Sequence, residues 1–236
     1  MQTLKKGSRG DTVRLLQQIL GIKIDGIFGK QTQAAVKSYQ AEYDLTVDGI
    51  VGPKTWAALG YAEEETDCEI QCEDLKQYAS PHGNMIYGPD STTYKSGGCG
   101  VVSFAIVCRA YNLMPDGETA TETIQRIGKY SYEHGYRIKG GGTACGLFKT
   151  NGCTYTSTTN AASIEKALRN GNLIIMNIKK GFGNGYSGTG HYVVAYGIRD
   201  DYVLLRDVGS SQSSRQKAKL STITTGLKGA YIMRKE

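Results

Sequence analysis

The sequence predicts an α+β protein in two parts. Residues 1–60 read as a small three-helix unit, and residues 75–236 as a larger unit in which a buried helix packs on an antiparallel sheet. Three observations support this reading. A degenerate repeat in the first sixty residues alternates tight turns with helical stripes, a nearly all-apolar run spans 101–111, and strand-like runs follow it, so that helices precede strands. A length of 236 residues with 39% hydrophobic side chains leaves room for two ordinary cores.

The repeat sets the first unit. Asp25-Gly26-Ile27-Phe28-Gly29-Lys30-Gln31-Thr32 recurs 23 residues later as Asp48-Gly49-Ile50-Val51-Gly52-Pro53-Lys54-Thr55. In each copy Asp-Gly supplies a turn with positive φ, and the second glycine lets the chain pass close before a helix begins. Pro53 occupies the place of a first helical residue. Val13, Leu15, Leu16, Ile19 and Leu20 form one apolar stripe at helical spacing, and Ala34, Ala35, Val36, Tyr39 and Tyr43 form another.

Residues 61–74 carry seven acidic and no basic side chains, and read as an acidic linker between two basic units. Cys68 and Cys72 would share a face if this run were helical, enough for half a metal site. No second pair with zinc-ribbon spacing follows, so a linker or peripheral helix is expected and no cofactor or metal is assigned. All six cysteines are read as thiols, because a chain of this size needs no disulfide staples. The formal charge of +6 admits a polyanionic partner, either an anionic cell wall or nucleic acid, and by itself chooses neither. No run approaches the ~18 apolar residues of a membrane helix, so no membrane insertion is expected. The first residues lack the apolar stretch of a secretory signal.

In the second unit Val101–Tyr111 is apolar nearly all round and reads as a buried helix, and Ser163–Asn170 as an amphipathic helix stopped by Gly171. Strands are expected at Leu173–Ile178, Tyr192–Ile198, Tyr202–Arg206 and Ala230–Met233.

Cys99 stands out chemically. It lies in Ser96-Gly97-Gly98-Cys99-Gly100 at the start of the buried helix, where the helix dipole and free N–H groups favour a thiolate and glycines admit a substrate backbone. Cys108, inside the apolar helix, reads as core. A thiolate nucleophile needs a neighbouring imidazole to protonate the leaving group. Of three histidines, His191 is best placed, between the glycine-rich stretch 181–190 and a strand; His134 reads as a helix end and His82 as a turn. If strands 191–198 and 202–208 form a hairpin turning near Asp200, Asp207 falls opposite Val193 and diagonal to His191, within reach of the ring. A shift of one residue in that turn would break the pairing.

Two resemblances follow from these residues. Residues 3–60, with Leu4-Lys5-Lys6-Gly7-Ser8-Arg9-Gly10-Asp11-Thr12-Val13-Arg14-Leu15-Leu16-Gln17 and the repeated turns, resemble the peptidoglycan-binding modules of wall hydrolases. Lys76-Gln77-Tyr78, Ser96-Gly97-Gly98-Cys99-Gly100, Gly140-Gly141-Gly142-Thr143, Gly190-His191-Tyr192-Val193-Val194 and Arg206-Asp207 resemble, in order, papain-superfamily peptidases related to the double-glycine leader peptidases of bacteriocin exporters. Gly-Cys-Gly-Val stands here where that family commonly has Gly-Cys-Gly-Pro. The resemblance implies a papain-like fold, and adds Gln77 as an oxyanion donor to catalytic Cys99, His191 and Asp207.

Together these imply a hydrolase of wall amide bonds of the phage endolysin type. Its partner would be bacterial peptidoglycan, with no nucleic acid. It would be held in the host cytoplasm until a holin opens the membrane, and then act at the wall. Endopeptidase action is expected ahead of N-acetylmuramoyl-L-alanine amidase action by the same cysteine. A non-catalytic wall-binding protein and a zinc amidase are the competing classes.

Overall fold

The structure is a computed structural model that describes residues 2–61, 67–88, 90–138 and 142–236. The chain divides into two compact units, Met1–Thr66 and Asp67–Glu236.

The first unit holds three helices, α1 (Asp11–Ile19), α2 (Lys30–Glu42) and α3 (Pro53–Ala58), around Leu4, Val13, Leu16, Phe28, Val36, Val51 and Trp56. Pro53 opens α3 as its first residue, and Gly26 and Gly49 take φ of 75° and 72° in the two turns. The repeat extends to two residues its motif does not include. Gln17 and Gln40, also 23 apart, are buried with the same partners. The Gln17 amide nitrogen donates to Asp25, to the Ile27 carbonyl and to Thr32, while its oxygen accepts from the Gly26 N–H at 2.8 Å. Gln40 does the same with Asp48, Ile50, Thr55 and Gly49. A side-chain amide thus ties each turn to the preceding helix and pairs the buried Gly26 or Gly49 N–H.

The second unit is a mixed helix and sheet domain. Its strands are β1 (Cys68–Glu69), β2 (Cys153–Thr158), β3 (Ile174–Ile178), β4 (His191–Arg199), β5 (Tyr202–Arg206), β6 (Lys217–Lys219) and β7 (Leu227–Lys235). They form one antiparallel sheet in the order β2-β7-β3-β4-β5-β6, with β1 added on β4. Its helices are α4 (Tyr94–Gly97), α5 (Cys99–Ala110), α6 (Ala120–Glu133) and α7 (Ala161–Arg169). Both faces of the sheet are covered. Tyr192, Val194 and Ile175 pack with Val101, Phe104 and Ile106 of α5 on one side, and Val193, Ala195 and Met176 with Ile164 and Leu168 of α7 on the other. This is why the central strands read as continuous apolar runs. None of the described helices is long and apolar enough to cross a membrane.

Several expectations need correction. The expected helix starts two residues early, at Cys99, and the last strand is longer than Ala230–Met233 because it pairs on both sides, with β2 and β3. Cys68 and Cys72 share no helix face: Cys68–Glu69 is extended and pairs with Ile198 and Gly197, and the Cys68 thiol donates to the Leu168 carbonyl. Residues 67–74, read as part of the linker, therefore belong with the second unit; 62–66 lie outside the described residues, as do Gly140 and Gly141. All six cysteines are free thiols.

The hairpin that carries the expected site departs from the simple register twice, and the departures cancel. Arg199 pairs with Tyr202, so the turn is centred between Asp200 and Asp201 rather than on Asp200. A bulge between Ala195 and Gly197 then shifts the ladder by one, so that Val194 faces Arg206. The paired ladder ends there, and Asp207 follows as the next residue beyond β5. The bulge also reverses the faces, since Tyr196 and Ile198 pack in opposite cores. A Cβ at Gly197 would stand 2.2 Å from the Cys68 carbonyl oxygen, so glycine is what allows β1 to pair at the bulge.

Candidate active site

Cys99 is the first residue of α5, capped by Gly98, and is partly exposed. The glycines around it are required by packing. A Cβ at Gly98 would stand 2.6 Å from the Tyr94 carbonyl oxygen, and one at Gly100 would stand 2.5 Å from Thr143 Cβ. The glycines on either side of Cys99 are thereby pressed onto α4 and onto Thr143.

His191, the first residue of β4, is buried, and its Nε2 lies 2.7 Å from Asp207 Oδ1. An ionised carboxylate only accepts, so Nε2 carries the proton and Nδ1 is left for Cys99. Burial alone would push the imidazole pKa down. Hydrogen bonding to Asp207 and to Cys99, and their charges, outweigh it and raise the value to about 9. Asp207 is fully buried, and burial pushes its pKa up. The hydrogen bond and charge of His191, the Arg215 charge and the Gly209 N–H together hold it below the usual carboxylate range.

Gln77 reaches the site from a segment tied to the Asp207 strand end. Its N–H donates to the Val208 carbonyl, and Lys76 Nζ donates to the Asp207 carbonyl at 3.0 Å. The Gln77 side-chain nitrogen donates to the Lys95 carbonyl at 2.7 Å, in α4 just before Cys99, which leaves its second N–H for another acceptor. The four residues expected from sequence are thus gathered at one end of α5 and β4.

The other two histidines lie elsewhere. His82 is buried in a short 3-10 turn with Nε2 on the Lys76 carbonyl, and His134 caps α6 and stacks on Tyr130. Among the described residues no group of three or more His, Cys, Asp or Glu side chains could hold a metal ion.

Sequence reasoning missed three residues around Asp207. Arg215 Nε donates to Asp207 Oδ2 at 2.8 Å, and Asn184 Nδ2 reaches the same oxygen at 3.3 Å. Tyr186 stacks on the His191 ring with centroids 5.1 Å apart. Asn184 and Tyr186 come from the irregular segment 181–190 and Arg215 from a single 3-10 turn, Ser213–Gln216, too short for a periodic signal to mark it.

A cysteine at a helix start, beside an imidazole held by a buried carboxylate on the sheet, is an arrangement suited to a cysteine hydrolase. The family agrees. The chain belongs to the Peptidase C39 like family, which matches residues 75–235, and residues 9–59 match the peptidoglycan binding domain family. It is therefore a C39-like cysteine peptidase with an N-terminal peptidoglycan-binding domain. Among solved structures, the Burkholderia AP3 phage endolysin is 44% identical over 25% of this chain and 24% of that one, with a TM-score of 0.24. The chain thus spans about a quarter of the length of that endolysin. A C39-like peptidase from Bacillus anthracis is 10% identical over 72% of this chain and 100% of that one, with a TM-score of 0.40. No curated protein sequence matches the chain.

Proposed function

We propose that the protein is a phage-type endolysin whose second unit cleaves peptide bonds of peptidoglycan, with Cys99 as nucleophile, His191 as acid and base, Asp207 as its orienting group and Gln77 as an oxyanion donor. The observation that carries this reading is the Cys99–His191–Asp207 arrangement in a chain whose residues 9–59 match a peptidoglycan-binding family.

In this reading Cys99 Sγ attacks the amide carbonyl as a thiolate. The oxyanion is met by the Cys99 N–H and the free N–H of Gln77. His191 Nδ1 gives its proton to the leaving amine, and a thioester forms. His191 then takes a proton from water as the water attacks the thioester, which releases the carboxylate and the free thiol. The binding unit raises the local enzyme concentration at the wall, so that a weakly binding cleft suffices. Release by a holin, and action at the wall thereafter, belong to the same reading.

Endopeptidase action follows from the form of a papain-like cleft, an open groove between a helix and a sheet that suits an extended peptide. A separate cavity of about 400 Å3 between Met85–Gly88 and α6 is lined by none of Cys99, His191, Asp207 or Gln77 and carries no weight in this choice. Mass spectrometry of digested walls tests this directly. An endopeptidase leaves peptide remnants on muramic acid and frees an amino terminus within the peptide. Glycan chains recovered bare, with whole stem peptides released, would make the enzyme an N-acetylmuramoyl-L-alanine amidase instead.

A further inference from the structure

Asp207 has more partners than orienting one imidazole requires. Its Oδ1 accepts from His191 and from the Gly209 N–H at 2.9 Å; its Oδ2 accepts from Asn184 and makes an ion pair with Arg215, whose nearer nitrogen is 2.6 Å away. The Arg215 guanidinium also stands over the Tyr186 ring at 5.1 Å, and Tyr186 lies flat against His191. Asn184, itself buried, closes the ring of contacts. Its amide nitrogen reaches the Arg215 carbonyl at 3.2 Å, and its oxygen accepts the Tyr186 N–H. One cation therefore touches both the carboxylate that holds His191 and the aromatic ring that covers it.

We propose that Arg215 is a positioning residue for the His191 imidazole: through Asp207 on one side and Tyr186 on the other it fixes the ring's orientation, and its charge sets how strongly the ring holds its proton. This rests on the Cys99–His191 reading above. Two separable properties do the work. The guanidinium fork has the shape to meet a carboxylate and an aromatic face at once, which an ammonium group lacks. Its positive charge offsets that of Asp207 and so restrains the carboxylate's pull on the imidazolium.

The groups facing His191 are Cys99 from α5, Asp207 and Gly209 beyond β5, Tyr186 from the glycine-rich segment and Arg215, with Lys228 of β7 beside Gly190. Removing Arg215 takes away a cation while Asp207 stays ionised, so the imidazolium becomes harder to deprotonate. Fork and charge can then be told apart by two variants.

The test is NMR titration of the three histidines in the full chain, with pH profiles of wall lysis, for the wild type, Arg215→Gln and Arg215→Lys. Arg215→Gln should raise the His191 pKa and the alkaline limb of kcat/KM by roughly one unit. Its rate should fall on the order of tenfold, as for other residues that orient an active imidazole. Arg215→Lys should leave the titration at the wild-type value and lower the rate severalfold. A slower Arg215→Gln enzyme with a wild-type His191 titration would reduce Arg215 to a structural role and overturn the proposal, as would wild-type rate and titration together. If Arg215→Gln does not fold, a fully active Arg215→Lys refutes the positioning role and a folded but slower one supports it. The parent reading is tested separately, since lysis by His191→Ala would remove the catalytic base while the titration of His191 in the Arg215 variants still reports on Arg215.

Discussion

The two units each anchor a turn on an aspartate, and they treat it differently. In the first unit Asp25 and Asp48 lie at the surface and share neutral partners, a glutamine amide and a backbone N–H two residues on. These bonds lower both carboxyl pKa values, led by the Gln17 side chain at Asp25 and by the Ile50 N–H at Asp48. In the second unit Asp207 is fully buried and stands between two cations, His191 and Arg215. Solvated aspartates with amide partners hold a turn in shape. A dry one between charges is suited to chemistry, because the hold of the His191 imidazole on its proton depends on it.

The largest effects should follow from the reacting groups themselves. Cys99→Ala and His191→Ala are each expected to lower wall lysis by roughly 10⁴-fold or more, with equal losses, because the two act as one unit. Binding of either variant to purified walls should match the wild type, since residues 1–60 are untouched. Lysis by Cys99→Ala at a tenth of the normal rate would remove Cys99 from the mechanism.

Asp207→Asn and Asp48→Asn test the comparison of the aspartates. Asp207→Asn leaves the half-buried Arg215 without its counter-charge and His191 without its orienting anion. It should lose activity about 100-fold or more and stability by about 3 kcal/mol. Asp48→Asn keeps the shape of a solvated turn, so its thermal unfolding should coincide with that of the wild type. Equal destabilisation by the two substitutions would erase the distinction.

How much of this was legible in the sequence follows from the same contrast. The first unit advertises itself because it says everything twice: Asp-Gly, the second glycine and the apolar stripes recur at one spacing. Even so, Gln17 and Gln40 went unnoticed, since a glutamine facing solvent and one facing a buried turn look alike until the chain is folded. Cys99 was legible from its glycines and its helix start, and His191 from its strand edge. A hairpin centred on Asp200 puts Asp207 opposite Val193; the turn is centred half a residue further on, and the bulge at Ala195–Gly197 brings the ladder back to the expected register at its last pair, Val194 with Arg206. Gln77 came from family resemblance alone. Arg215, Asn184 and Tyr186 were invisible because they reach Asp207 from a single 3-10 turn and a loop, where position is set by tertiary packing and not by any period.

The repeat allows a smaller test within the first unit. Gln17→Leu and Gln40→Leu each leave a buried turn N–H, that of Gly26 or of Gly49, without its partner, at a cost of about 1–3 kcal/mol. The two should cost nearly the same, and neither should change turnover of a short soluble wall peptide. A difference of more than about 1 kcal/mol between them, read from thermal unfolding of the first unit, would show that the copies are alike in sequence but not in load.

The smallest expected effect concerns pH, and it follows from the sign of each shift. His191 has its folded pKa raised to about 9 from an ordinary value of 6.5. Its stabilising contribution is therefore fully present below about pH 6.5, where both folded and unfolded forms hold the proton, and is lost as pH rises through 9. Between pH 6.5 and 8 the loss should be about 1–2 kcal/mol. Asp25, Asp48 and Asp207 have lowered pKa values, so their contributions are present above the ordinary carboxyl value and are lost only as pH falls through the folded one. Alkaline sensitivity thus belongs to the second unit, and acid sensitivity to both. Calorimetry from pH 6.5 to 8 should show unfolding of the second unit moving to lower temperature while that of the first stays in place. Cys99→Ala removes one of the two groups that raise the imidazole, and should flatten the slope in part; His191→Ala should abolish it. An unchanged slope in His191→Ala would mean that some other group carries the alkaline dependence.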